Sequence, residues 1–211
     1  MDLQKSRIRL LQHLDWEIND KRVIDAIKRV PREKFVLPEY YDEAYDDRPL
    51  SIGFNQTISQ PFIVSLMLQA LELHGNEKVL EVGTGSGYVA ALLSELVKRV
   101  VTVECINELA NSSSLLLMKL GYQNVEVHLA GSILGWPDEA PYDAIIVSAG
   151  APSVPRTLSG QLSWGGRLVI PVGSRWEQRL LKIMRNKEGE VIEDLGGCFF
   201  VPLIGEEAWK K

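Results

Sequence analysis

One stretch constrains this chain more than any other: Val79-Leu80-Glu81-Val82-Gly83-Thr84-Gly85-Ser86-Gly87-Tyr88. It is a short apolar run followed by three glycines on alternate positions and then a helix-compatible segment over 88–97. Glycine lets a backbone turn sharply and approach a ligand closely, so a strand that passes through glycines into a helix reads as the opening of a βαβ unit. The pattern repeats downstream. Residues 100–104, 125–129, 142–148 and 167–171 read as strands, with helices predicted over 109–120 and 154–162. Strands alternating with helices imply a mostly parallel, doubly wound α/β sheet with helices on both faces. Residues 180–185 and 191–201 flank Asn186-Lys187-Glu188-Gly189, a hairpin signal, so the sheet is expected to finish with an antiparallel pair.

Ahead of this region, residues 3–30 read as two helices. The first carries Leu3, Ile8, Leu11 and Leu14; the second carries Val23, Ile24, Ile27 and Val30 behind an Asp20 cap and stops at Pro31. Residues 32–60 mix aromatics, acids and prolines without a sustained period, which predicts a long ordered loop or lid. A helix is expected from Ser59-Gln60-Pro61 to about residue 73, with Ser59 as its cap. A chain of 211 residues suits one α/β domain with an elaboration. The division expected is 1–60 as N-terminal helices and substrate-side loop and 61–211 as the ligand-binding domain, folded as one unit.

Composition removes several function classes. Lys and Arg number 23 against 28 Asp and Glu, a net charge of −5, with a pI near 5.3. That balance argues against binding nucleic acid or anionic membrane by phosphate neutralisation. Cys105 and Cys198 form no Cys-x-x-Cys pair, which excludes the common zinc patterns and a disulfide framework, and they read as small core or strand-end residues. His13, His74 and His128 share no motif, so no metal is expected. The tryptophans at 16, 136, 164, 176 and 209 read as core or rim packing. The start, Met1-Asp2-Leu3-Gln4-Lys5-Ser6-Arg7, carries charge where a signal peptide needs an apolar stretch, and no apolar run reaches membrane-spanning length. A soluble, cytoplasmic protein is the expectation.

The glycine spacing is G-x-G-x-G, not the G-x-G-x-x-G that cradles a pyrophosphate, which points to a ligand without one and places the third glycine wrongly for a nicotinamide dehydrogenase. Glu81 precedes the first glycine by two residues. Glu104 ends the next strand 21 residues after Gly83, the offset at which an acid reaches the ribose hydroxyls of a bound nucleoside. The plainer alternative is a tight turn with a solvated strand-end carboxylate.

Together, Glu81, Gly83, Gly85, Gly87 and Glu104 resemble the cofactor site of the seven-stranded, Rossmann-like methyltransferases that use S-adenosyl-L-methionine. In those proteins the turn lies beside the methionine portion and the strand-end acid binds both ribose hydroxyls. The Asn/Asp-Pro-Pro-aromatic motif of amine-methylating members is absent; Ser148-Ala149-Gly150-Ala151-Pro152 stands there instead. No cysteine sits where a cytosine-C5 enzyme needs its nucleophile.

Further segments are similar to the protein-L-isoaspartate O-methyltransferases: Val30-Pro31-Arg32-Glu33-Lys34-Phe35, Ala44-Tyr45-Asp46-Asp47-Arg48-Pro49-Leu50, Gln56-Thr57-Ile58-Ser59-Gln60-Pro61, Leu120-Gly121-Tyr122-Gln123-Asn124-Val125, Ala140-Pro141-Tyr142-Asp143-Ala144-Ile145-Ile146-Val147 and Phe200-Val201-Pro202-Leu203. The resemblance spans roughly residues 20 to 207. It implies methyl transfer to the α-carboxylate of isoaspartyl residues in damaged proteins or peptides, by a monomer. It puts Gln56, Thr57 and Ile58 beside the cofactor and makes Ser59 the catalytic residue at the junction with substrate. It places Ala149, Gly150, Ala151 and Pro152 along the peptide groove, and Gly131 or Ser132 near the adenine.

The chain departs from the family pattern at four places. Asn55 replaces the second glycine before the Gln-Thr-Ile-Ser element, and Ala130-Gly131-Ser132 replaces Gly-Asp-Gly. Phe199 replaces an arginine, and Asn111-Ser112-Ser113-Ser114 a charged helix. Two other readings therefore stand beside the first: a carboxyl methyltransferase for a different peptide aspartate, and a non-catalytic module of the same fold.

Overall fold

The structure is a computed structural model that describes residues 3–210; Met1 and Asp2 of the charged N-terminal stretch, and Lys211, lie outside the described residues. Helix α1 (Leu3–Glu17) buries Ser6, Leu10 and Leu14, so its inner line runs through Leu10 and Ile8 faces out, 53% exposed. In α2 (Lys21–Arg29) the Asp20 side chain accepts from the Arg22 amide at 2.9 Å, as expected of an N-cap.

The expectation of a loop over 32–60 is corrected. Two 3-10 turns, Arg32–Lys34 and Pro38–Glu43, lead into an antiparallel hairpin of β1 (Leu50–Gly53) and β2 (Gln56–Ile58). Its turn is Phe54-Asn55, with φ of +52° and +56°. Two successive left-handed residues make the tight turn that matches strand twist. Asparagine tolerates that conformation, whereas phenylalanine gives no hint of it in the sequence.

Helix α3 (Pro61–Ala70) stops short of residue 73, and its cap is not Ser59. Gln60 occupies the cap position without a side-chain bond. Asp47 does the work from a distance, its Oδ1 accepting from the Phe62 amide at 2.8 Å and its Oδ2 from Gln60 Nε2 at 2.9 Å.

The expected alternation follows: β3 (Lys78–Val82), α4 (Tyr88–Ser94), β4 (Arg99–Glu104), α5 (Asn107–Leu120), β5 (Val125–Leu129), β6 (Tyr142–Val147), α6 (Arg156–Gly160), β7 (Leu162–Gly173), β8 (Gln178–Asn186) and β9 (Gly189–Cys198). One seven-stranded sheet runs β5-β4-β3-β6-β7-β8-β9, with β8 antiparallel to both its neighbours. Strand β7 is longer than predicted and α6 shorter, because the chain from residue 162 extends instead of coiling.

Successive residues of the inner strands serve opposite faces, as strand pleating demands. Val79, Val100, Ala144 and Ile146 join a cluster that includes Leu14, Ile24 and Leu68 of the N-terminal helices, whereas Leu80, Val101, Ile145 and Val147 join a second one. The chain runs outward from β3 to β5 and then returns to β6 on the other side of β3. That reversal opens a crevice at the carboxyl ends of the strands, where α/β sheets bind ligands. Trp16 and Trp176 belong to no core, at 89% and 87% exposed, and Cys105 and Cys198 lie at strand ends. No helix among the described residues is long and apolar enough to cross a membrane.

Because Asp47 caps α3, Asp47→Ala should lower stability by about 1 kcal/mol in chemical denaturation. Ser59→Ala should stay within about 0.5 kcal/mol of the parent. Equal losses in the two variants would contradict the capping assignment.

Candidate active site

The crevice holds a cavity of about 370 Å³, within the range of small-molecule sites. Its floor is the glycine turn after β3. Gly83 and Gly85 take φ of +97° and +52°, a region closed to most side chains. The turn is fastened to β4: the Gly83 amide donates to the Val103 carbonyl at 2.8 Å, and the Gly85 amide to Glu104 Oε2 at 2.8 Å. The other Glu104 oxygen accepts from the Ile106 amide at 3.0 Å. One carboxylate thus holds both loops that shape the cavity, and its remaining lone pairs are available to ligand hydroxyls.

Glu81 lies one strand away, fully buried. The β3–β4 register sets it opposite Thr102, whose hydroxyl donates to Oε2 at 2.6 Å and lies 2.7 Å from that of Thr84. Oε1 has no partner. Burial pushes the carboxyl up to about 8, the nearby Glu104 charge adds to this, and the Thr102 hydrogen bond opposes it. A buried acid with one open oxygen at a cavity wall suits a cationic ligand, and S-adenosyl-L-methionine carries an ammonium and a sulfonium. The residues fit that cofactor.

Most of the residues singled out from the sequence meet here. Gln56, Thr57, Ile58 and Ser59 form one wall. Glu81, Gly83, Gly85 and Glu104 form the floor, and Gly131, Ser132 and Ala149 the remaining sides. Gly87 does not line the cavity. It opens α4 at φ +88°, and a Cβ there would stand 3.2–3.3 Å from Leu117 and Ser113 of α5, so its role is close helix packing.

Gly150, Ala151 and Pro152 also lie outside the lining. Gly150 donates to the Val201 carbonyl and accepts from the Leu203 amide, both at 2.8 Å, and from Trp209 Nε1 at 3.1 Å. A Cβ on it would fall 2.5 Å from Gln178. Ala151 bridges to Val172, and Pro152 is exposed. Through its backbone bonds Gly150 holds the segment 201–205, which closes the cavity. Thr84, Tyr88 and Cys105 line it too. Tyr88 carried a signal, as the first residue after the last glycine, whereas Thr84 is revealed only by its partner on β4.

Away from the cavity, Glu126, His128 and Glu139 draw together, which sequence spacing gave no sign of. Arg99 already binds both carboxylates, at 3.0 and 2.8 Å, and Trp136 stacks on the His128 ring at 4.2 Å.

Comparison with known proteins agrees with this geometry. The profile of the protein-L-isoaspartate (D-aspartate) O-methyltransferases matches residues 5–208. The chain belongs to this family. It is 49% identical over 212 residues to protein-L-isoaspartate O-methyltransferase 1 of Syntrophobacter fumaroxidans, covering 100% of this chain and 99% of that protein. It is 50% identical over 214 residues to the enzyme of Syntrophus aciditrophicus, covering 98% and 97%. Among solved structures, a protein-L-isoaspartate O-methyltransferase superposes with a TM-score of 0.84 at 27% identity, over 96% of this chain and 67% of that one. A Plasmodium falciparum β-aspartate methyltransferase in complex with S-adenosyl-L-homocysteine gives 0.79 at 26% identity, over 92% and 95%. The mostly parallel seven-stranded sheet is therefore the fold of this methyltransferase family.

The raised Glu81 predicts proton-linked cofactor binding. Burial holds the carboxyl's proton up to about 8, and a cation bound beside it would favour the carboxylate, so binding below that pH is expected to release the proton. Affinity for S-adenosyl-L-methionine should rise by up to about tenfold per pH unit below the Glu81 value and level off above it. Calorimetry in buffers of different ionisation enthalpy counts the proton. Glu81→Gln should abolish that part of the signal, and an identical proton count in parent and variant would contradict the assignment.

Proposed function

We propose that this protein transfers the methyl group of S-adenosyl-L-methionine to the α-carboxylate of isoaspartyl residues in damaged proteins and peptides. The ester then closes spontaneously to a succinimide that reopens in part to aspartate. The observation that carries this reading is the meeting, in one cavity, of the Gln56–Ser59 segment with Glu81, Glu104 and the glycine turn. Family membership over nearly the whole chain supports it.

In this reading Glu104 takes the ribose hydroxyls. Glu81 faces the cationic methionine portion, and the open backbone of Gly83 and Gly85 allows close approach. Gln56, Thr57 and Ile58 cover the cofactor, and Gly131 and Ser132 lie by the adenine. Gly87 contributes by seating α4 against α5. When bound, the cofactor supplies a methyl group already activated by its sulfonium. The acceptor carboxylate is anionic at neutral pH, so no side chain has to remove a proton. The protein's task is to align the acceptor oxygen with the methyl group and to replace the water around it with oriented donors.

In this reading Ser59 serves that task. It lines the cavity, its carbonyl is tied down by Arg32, and its hydroxyl is not consumed in capping α3. On the same reading Ala149 offers a small surface on the same cavity lining, Gly150 holds the segment that closes the groove, and Ala151 and Pro152 follow along the peptide side. We infer a monomer acting in the cytoplasm, with neither nucleic acid nor membrane as partner; the acidic charge balance supports this.

The test is methyl incorporation from labelled S-adenosyl-L-methionine into two peptides that differ only in carrying isoaspartate or aspartate. The isoaspartyl peptide should be labelled and its twin should not; equal labelling of both, or of neither, would contradict the proposal. Ser59→Ala should keep cofactor affinity within about twofold and lower turnover by roughly tenfold to a hundredfold, the loss of one hydrogen bond to a charged group. Full turnover in the folded variant would remove Ser59 from the chemistry.

A further inference from the structure

Arg32 is wholly buried, at 0% exposure. A guanidinium is among the groups that lose most on leaving water, and buried charges are normally paired. This one forms no ion pair among the described residues. Its Nε donates to the Ala44 carbonyl and its Nη2 to the Ser59 carbonyl, each at 2.8 Å. Nη1 is buried without a partner, and the group lies over the Tyr88 ring, 4.8 Å from its centroid. Burial works against its charged form and lowers its proton affinity, while Tyr88, by charge and by hydrogen bond, and then Asp47 favour the cation. Asp47 is itself engaged by the Phe62 amide and Gln60.

Two carbonyls can be satisfied by neutral donors, so the hydrogen bonds alone do not account for a cation. The cavity wall does. Among the described residues lining it, Glu81 and Glu104 are acidic and none is Lys or Arg. A carboxylate acceptor entering this space finds no basic side chain on the lining to receive it. Ser59 and Tyr88 both line the cavity, and both touch Arg32, which stands one layer behind them. Charges in a buried setting are weakly screened by water and salt.

We propose that Arg32 is a positioning and specificity-determining residue: it fixes the Ser59 segment and supplies, from one layer behind, the positive charge that the cavity lining lacks, so that an anionic acceptor is preferred over a neutral one of the same shape. The inference rests on the acceptor assigned above.

The probes are an isoaspartyl peptide and the same peptide with its α-carboxylate replaced by the carboxamide, titrated calorimetrically into enzyme saturated with S-adenosyl-L-homocysteine. The parent should bind the anion at least about tenfold more tightly than the amide. Arg32→Gln should narrow that ratio to below about threefold through lost anion affinity, with S-adenosyl-L-homocysteine affinity within about twofold of the parent. Arg32→Lys should keep the ratio but lower kcat, since an ammonium holds the charge yet cannot brace both carbonyls. A merely structural arginine would weaken both peptides alike in Arg32→Gln, and that result overturns the proposal. Should Arg32→Gln not fold, Arg32→Met, which also removes the charge while keeping an apolar stem, takes its place: a narrowed ratio supports the charge role and an unchanged ratio overturns it. A parent that methylates no isoaspartyl peptide overturns the acceptor assignment itself, an outcome distinct from a working parent with an indifferent Arg32→Gln.

Discussion

The site is organised by one carboxylate shared between two loops. Glu104 ends β4 and accepts from Gly85 on the turn after β3 and from Ile106 on the turn before α5. Parallel strands bring their carboxyl ends to the same edge, and the Val103 carbonyl of β4 holds the start of the glycine turn by accepting from Gly83 and Thr84. Glu104 extends that hold, one oxygen to each loop, and each oxygen keeps a lone pair free. Its neighbour Glu81 has the opposite condition: sealed in the sheet, satisfied at one oxygen by Thr102 and open at the other. Of two acids one strand apart, one shapes the cavity and the other leaves a place for positive charge.

That arrangement explains why so little acid–base machinery surrounds the site. The methyl donor arrives activated and the acceptor arrives ionised, so the protein contributes position and charge balance. Position comes from the glycine turn, the closing segment 201–205 and the Gln56–Ser59 wall, whose start is set by the Phe54-Asn55 turn and whose end is set by Asp47. Charge balance comes from Arg32, outside the cavity but bonded to its wall.

The sheet was legible in the sequence because its inner strands β3, β4 and β6 are short apolar runs with helices between the parallel strands, and because a turn signal separates β8 from β9; all seven strands stand where the pattern put them, with ends shifted by a few residues. The cofactor floor was legible for a related reason, since glycines at positive φ and a strand-end acid at fixed offset are local signals. The hairpin of β1 and β2 was not, because Phe54 occupies a left-handed position that composition does not announce. Asp47 as the cap of α3 escaped because it acts across 15 residues, whereas capping rules look within the helix's first turn. Arg32 stood inside a recognised motif, but its burial and its missing counter-ion are properties of packing alone. Gly150 and Ala151 carry backbone bonds that spacing does not announce: Gly150 holds Val201 and Leu203, and Ala151 pairs with Pro171 and Gly173 of β7.

The most direct measurement on this account is the affinity of Glu104→Ala for S-adenosyl-L-methionine, with circular dichroism to establish that the sheet survives. Removal of the carboxylate takes away the proposed ribose acceptor and the tie to the Gly85 amide, while the bonds of Gly83 and Thr84 to the Val103 carbonyl and the apolar core of β4 stay. Affinity should fall by roughly tenfold to a hundredfold, corresponding to about 1.5–3 kcal/mol for lost charge-assisted hydrogen bonds. A folded variant that binds the cofactor as tightly as the parent would contradict the central claim that this one carboxylate builds the site.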